Sequence, residues 1–223
     1  MHDVQKIILK RLFDHNRQRF AQLTQGYSFE DNVVFHLKQL IGKGLVEKCD
    51  EHYLITAAGV KTITQYDMQS LIDAGFKTCF VGFLCSYGDS YLLKAHPSGQ
   101  TNFYNLPSGK PHFGEPTDQA LVRLFNKISG MTIQHNAFSF YSLHLKTVKT
   151  SANEILFDDA FIIYQIKLSD TQHNNLRLAD NISFLPVSDI AKLPNRWPEV
   201  GMCILEKDAA PYRAYDFVSD YIL

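Results

Sequence analysis

The sequence predicts an α+β protein of two domains, residues 1–73 and 74–223. Three observations carry that expectation. The 223 residues exceed the roughly 100–150 typical of a single domain. Apolar residues near the start recur at three- and four-residue steps, as on one face of a helix. Beyond Asp73-Ala74-Gly75 the pattern switches to short β-rich runs divided by turns. With 45% hydrophobic and 20% charged residues, the chain has the balance of a protein that buries a core, not of a disordered one.

Taken in order, Val4, Ile7, Ile8, Leu12 and Phe13 predict a first amphipathic helix. A short second helix is expected over Phe20 to Leu23. Gly26-Tyr27-Ser28 reads as a turn that delivers Ser28 as an N-cap, with Asp31 three residues on, close to a capping box. The third helix would run to Leu40 and bury Val33, Val34, Leu37, Leu40 and Ile41. Gly42-Lys43-Gly44 stops it. Leu45-Val46-Glu47-Lys48 and His52-Tyr53-Leu54-Ile55 then flank the polar turn Cys49-Asp50-Glu51 as a hairpin, and Thr56 can cap a further helix reaching towards Leu71.

This order, with Phe35-His36-Leu37 through Leu40, Gly44-Leu45-Val46 and Leu54-Ile55-Thr56-x-x-Gly59, resembles a winged helix-turn-helix over about the first 70 residues. The resemblance implies that the third helix enters the major groove of DNA and the hairpin lies against the backbone or minor groove. Glu30, Asn32, His36, Lys38 and Gln39 would be exposed there; Asn32 and Gln39 suit adenine edges and Lys38 suits phosphate or guanine. Lys43 and Lys48 complete the DNA-binding set. Against it, basic and acidic residues nearly cancel in this half, and Glu30-Asp31 and Asp50-Glu51 repel phosphate. Protein contact or dimerisation therefore stays open as the use of this domain, while a homodimer would gather its cations on two half-sites.

In the second domain, Phe80 to Leu84 and Tyr91 to Leu93 read as strands around the turn Tyr87-Gly88-Asp89-Ser90, with further strands at Phe138 to Leu145 and Ala160 to Leu168. Between them lies Leu106-Pro107-Ser108-Gly109-Lys110-Pro111-His112-Phe113-Gly114-Glu115, then a helical segment from Thr117 to Ser129 and Gly130-Met131. This resembles the Nudix box, Gly-x5-Glu-x7-Arg-Glu-U-x-Glu-Glu-x-Gly-U with U a bulky apolar residue. Gly109, Glu115, Arg123, Phe125, Gly130 and Met131 fall on matching positions. Asn181 to Leu193 resembles the strand, turn and short helix that follow the core strands in that family. The resemblance implies a Nudix-fold α/β/α sandwich with a mixed sheet.

Leu124, Lys127 and Ile128 stand where the box has its three glutamates. In the family those carboxylates share one helix face and hold the divalent cations that activate water. Such cations need several oxygen ligands, which Leu124 and Ile128 lack, and Lys127 would repel the metal. The face instead reads as core, because Leu121, Leu124, Phe125 and Ile128 form an i, i+3, i+4, i+7 stripe. No cofactor is then expected. The alternative rebuilds a Mg2+ or Mn2+ site from Glu115 with Glu154, Asp158 and Asp159, which precede the strand Phe161 to Ile166; the bland reading of that Asp pair is a solvated turn. His96, His112, His135 and His144 are too scattered for a metal cluster.

The formal net charge of -1 excludes a protein-wide basic field, so any DNA contact must be local. Cys49, Cys79, Cys85 and Cys203 lie far apart without ligand spacing, as free thiols do. Met1-His2-Asp3-Val4 lacks the basic end and apolar run of a secretory leader, and no stretch is apolar for the roughly 18 residues of a membrane span. A cytoplasmic protein is expected. The leading functional expectation is a ligand-responsive DNA-binding transcriptional regulator whose second domain binds a nucleotide or sugar-phosphate metabolite through Gly109, Lys110, Glu115, Arg123 and Lys127 without hydrolysing it. A divergent metal-dependent hydrolase of nucleoside diphosphate derivatives and a plain interaction module are the alternatives.

Overall fold

The structure is a computed structural model; it describes residues 1–67, 69–71, 77–98 and 101–219, with the side chains of Phe29, Ser98 and Thr101 left aside. The chain divides into two compact units, Met1–Phe76 and Lys77–Leu223. The boundary expected at Asp73-Ala74-Gly75 lies outside the described residues.

In the first unit, α1 (Asp3–Asp14) is capped by His2, whose ring accepts from the Val4 N–H. It buries Val4, Ile8, Leu9 and Leu12 against Leu23, Val33, Leu37, Leu40, Val46 and Ile63. A two-residue strand β1 (Gln18–Arg19) and α2 (Phe20–Leu23) follow. α3 spans Val33–Gly42. Its start differs from expectation. Ser28 and Asp31 do meet, the Ser28 N–H donating to Asp31 at 2.6 Å, but they close a 3-10 turn, Phe29–Asp31. Asn32, in the left-handed region at φ 48°, separates that turn from α3. A helix that begins at Val33 turns positions 33, 36, 37 and 40 inward, so His36 is buried and Val34 is 52% exposed. The hairpin of β2 (Val46–Cys49) and β3 (His52–Ile55) forms as expected, with Val46 opposite Ile55 and Asp50 at φ 55° in its turn. β1 pairs with β3, a third strand too short for periodicity to reveal. α4 (Ala57–Ile63) is capped by Thr56, which accepts from the Gly59 N–H at 3.1 Å. It stops short of Leu71: the Thr62 and Thr64 hydroxyls bond back to its carbonyls, and Asp67 gathers the Gln69 and Ser70 N–H groups into a separate turn.

The second unit is built on one mixed sheet. Its strands are β4 (Thr78–Tyr87), β5 (Ser90–Ser98), β6 (Thr101–Asn105), β7 (Ser108–Gly109), β8 (Ser139–Lys149), β9 (Ile155–Lys167), β10 (Ile182–Pro186) and β11 (Tyr212–Val218). The order is β10-β5-β4-β9-β8-β11, with β6 on β5 and β7 on β4; β4–β9 and β8–β11 are parallel. On one face α5 (Thr117–Ser129) packs Leu121, Leu124 and Phe125 onto Val81, Phe83 and Cys85. The other face carries Leu84, Leu93, Phe161 and Ile163 under α7 (Val187–Ile190), α8 (Pro198–Val200) and the π-helical turn Gly201–Leu205. α6 (Asp170–Asn174) links β9 towards β10. Because side chains alternate along a strand, neighbouring residues of the central strands serve opposite layers. β8 and β9 run longer than the sequence pattern marks, so Asp158 and Asp159 lie inside β9, opposite Thr147 and Lys146, and not before it.

Candidate functional site

The segment from Ser108 to Gly130 is strand, loop and helix, and its loop is tied down by one ion pair. Arg123 on α5 donates from Nε and Nη2 to the two Glu115 oxygens, each at 2.6 Å, and Nη2 reaches the Lys110 carbonyl at 3.3 Å. Glu115 also accepts from the His112 N–H at 2.8 Å. The Arg123 guanidinium holds the Glu115 carboxyl down from its ordinary 4.5 to about 2, with the His112 N–H adding to the effect. Both Glu115 oxygens are thereby engaged within the protein.

On α5 itself, Leu124 is 6% exposed and packs in the core, and a side chain at Gly109 would collide with it. Ile128 packs at the edge of that core and Lys127 is exposed. The acids that could have rebuilt a metal site are dispersed. Asp158 pairs with Lys77 and accepts from the Thr147 hydroxyl at 3.0 Å, while Glu154 is exposed. Among the described residues, no three His, Cys, Asp or Glu side chains form a group that could hold a metal ion.

A cavity of about 190 Å3 lies on the sheet face opposite α5. Phe80, His96, Asn105, Ser108, Lys146, Phe157, Asp159, Phe161 and Trp197 line it. Ser108 and Gly109 are adjacent, so the strand that sends Gly109 towards Leu124 sends Ser108 into the cavity. Lys146 is buried and donates to Glu199 at 2.7 Å, the two side chains being 5% and 0% exposed. Its ammonium stands 4.8 Å from the Trp197 ring and 5.0 Å from that of Phe161. Tyr215 donates to the other Glu199 oxygen at 3.4 Å and meets His144 Nδ1 at 3.2 Å, so a polar chain runs from the cavity to β11. Burial pushes the His144 and His96 pKa values down and that of Asp159 up.

No protein-family model matches the chain, and no curated protein matches it. Solved structures do. The MutT mutator protein from Bacillus halodurans is 11% identical over 65% of this chain and 92% of its own, with a TM-score of 0.50. The second unit has a Nudix fold. Weaker likenesses include the Nudix domain of Shewanella oneidensis NrtR, crystallised with ADP ribose (13% identity, 69% and 94% coverage, TM-score 0.43), and a Nudix hydrolase from Nitrosomonas europaea (12%, 63% and 79%, 0.42). The Nudix fold implies a divalent metal along α5. The residues present do not fit one: Leu124 and Ile128 offer hydrocarbon and Lys127 an ammonium group.

Of the expected ligand-binding residues in the Nudix unit, Gly109 adjoins the lining Ser108 and Lys110 holds its ammonium 5.3 Å from the ring of the lining Phe80. Glu115 and Arg123 are closed on each other. Sequence reasoning missed Lys146, Trp197 and Glu199, and named Asp159 only as an alternative metal ligand. The available signals were the chain's single tryptophan and a lysine within an alternating strand. In the first unit Asn32, Lys38, Gln39, Lys43 and Lys48 are exposed, as are Glu30, Asp50 and Glu51. His36 is not: it is 9% exposed, stacks on His2 with ring centroids 4.2 Å apart and leaves Nδ1 without a hydrogen bond. It is corrected from a DNA contact to a packing residue, and Phe35, 57% exposed, takes the outward place beside it.

Proposed function

We propose that the chain is a DNA-binding regulator whose Nudix unit binds a nucleotide or sugar-phosphate metabolite without cleaving it. The observation that carries the second half is the burial of Leu124 against Gly109, which fills with hydrocarbon the helix face that a metal-dependent hydrolase would need. The ligand enters the cavity on the opposite face, with Gly109 and Lys110 at its border, Glu115 and Arg123 holding the loop and Lys127 available to a phosphate outside. The first unit acts as a winged helix. Asn32, Lys38 and Gln39 on or before α3 face the major groove, and Lys43 and Lys48 face phosphate, all five being exposed. A homodimer places two such surfaces on paired half-sites, and ligand occupancy biases it between two arrangements that differ in ligand affinity.

The exposed Val34 and Phe35 favour a second reading of α3 as a protein-contact surface. An unbiased DNA selection at physiological salt separates the two. The regulator enriches a sequence and loses it on Lys38→Ala with Lys43→Ala; a protein-contact module enriches none. Hydrolysis is tested beside it: release of phosphate or a nucleoside monophosphate with Mg2+ or Mn2+ would sink the non-cleaving half.

A further inference from the structure

The cavity contains a group that the fold leaves unmatched. Asp159 is 8% exposed and lines the cavity, yet among the described residues its carboxylate receives no hydrogen bond and closes no ion pair. The neighbouring cations Lys146 and Lys110 attract it without bonding to it, Lys146 being paired with Glu199. Asn105, on the same wall, has a buried side-chain oxygen with no partner. Unpaired buried acceptors are costly, and a buried carboxylate is costlier still unless something neutralises or hydrogen-bonds it. The remaining lining is aromatic: Phe80, Phe157, Phe161 and Trp197. The volume sets the scale, since about 190 Å3 is close to the ~150 Å3 that encloses one benzene-sized ring. One ring system fits; a whole nucleoside diphosphate does not.

We infer that the cavity takes a planar ring bearing a donor edge, with N–H groups on two nitrogens flanking one carbon, as in an amidinium or a 2-amino-azinone ring of the guanine kind, and that Asp159 is the residue that receives this edge. A carboxylate has two oxygens spaced to accept such a pair of parallel N–H donors, the geometry that makes guanidinium–carboxylate pairs strong. The aromatic side chains cover the ring faces, and the buried Asn105 oxygen accepts a further hydrogen bond. A phosphate or carboxylate would meet Asp159 as a like charge and find Lys146 already paired. The inference rests on the proposed function only in taking this cavity as the ligand site. It adds that the ring, and not a phosphate, occupies it, so any phosphates lie outside, towards Lys110.

The test titrates the full chain with benzamidine, guanosine and benzoate, the last being similar in size to benzamidine and opposite in charge. Fluorescence of Trp197 in the cavity wall reads occupancy. Benzamidine and guanosine are expected to bind saturably and benzoate not to bind. Asp159→Asn, nearly isosteric, is expected to weaken benzamidine by about tenfold or more, the loss of a charge-assisted pair, while its thermal midpoint without ligand does not fall. Benzoate binding as tightly as benzamidine, silence of both donor-edged probes, or equal binding by Asp159→Asn overturns the inference. The comparison of benzamidine with benzoate on the unmodified chain decides the matter even if the variant does not fold. If nucleotides bind while both donor-edged probes are silent, this inference falls and the proposed function stands. If the probes bind through Asp159 while no DNA sequence is enriched, the proposed function falls and this inference stands.

Discussion

Glu199→Leu strands a lysine. In the native unit the Lys146 side chain is 5% exposed and, among the described residues, closes its one ion pair on Glu199, at 2.7 Å. Removing one partner of a buried pair typically costs about 3–5 kcal/mol, because the other charge keeps its desolvation penalty and loses its compensation. Lys146→Met leaves the Glu199 carboxylate with the Tyr215 hydroxyl at 3.4 Å, and a loss of similar size is expected. The double variant removes both charges. It should recover most of that loss, keeping a deficit of about 1–2 kcal/mol for the ammonium's contacts with Trp197 and Phe161. Trp197 is the only tryptophan in the chain and lies beside Lys146, so urea unfolding followed by its fluorescence reports on the second unit alone. Each single variant should lower the melting temperature of a unit of this size by about 6–20 °C, at roughly 2–4 °C per kcal/mol. Single variants each costing under about 1 kcal/mol, or a double variant whose loss equals the sum of the two, would refute the picture of a coupled buried pair.

Four further expectations follow from other parts of the chain. Leu124→Glu, which puts a carboxylate on the buried face of α5, should destabilise the second unit by about 3–5 kcal/mol without producing metal-dependent hydrolysis, since it places an uncompensated charge in the core; calorimetry and a phosphate-release assay check both. Glu115 has its pKa held down to about 2 from 4.5, so its stabilising effect is complete above pH 4.5 and is lost as pH falls through about 2. Acid titrations should therefore show wild type losing more stability than Glu115→Gln across that window. For DNA, Lys48→Ala should reduce the salt dependence of binding by about one unit of slope without changing the preferred sequence. His36→Ala should act by destabilising the first unit, visible as a lower melting temperature with DNA absent.

Much of the fold was legible because its elements bury one regular face. α1, α2, the β2–β3 hairpin and the Thr56 cap can be located from apolar spacing and turn residues alone. α3 could not be phased correctly, because a left-handed Asn32 resets where the helix begins and no pattern of apolar residues announces it. The cavity was illegible for a different reason. Along β8 the sequence alternates apolar Tyr141, Leu143 and Leu145 with polar Ser142, His144 and Lys146, which by the usual rule puts the polar set in water. The structure buries that polar set: Ser142, His144 and Lys146 are 0%, 2% and 4% exposed. Such an inversion is tolerated only where partners such as Glu199 and Tyr215 arrive from distant segments, and one sequence does not disclose that pairing. The same holds for Asp159, whose Asp-Asp context reads as a turn until β9 is seen to begin at Ile155. The apolar face of α5 was readable because it is local: Leu121, Leu124, Phe125 and Ile128 recur at helical spacing within one short segment.

The central claim, that the second unit binds without cleaving, is tested most directly by titrating Trp197 fluorescence with nucleotides and sugar phosphates, first in a chelator and then with Mg2+ or Mn2+, while phosphate and nucleoside monophosphate release are followed in the same samples. A saturable change in the chelator, with no release after metal is added, is predicted. Release that requires the metal and disappears in Glu115→Gln would contradict it.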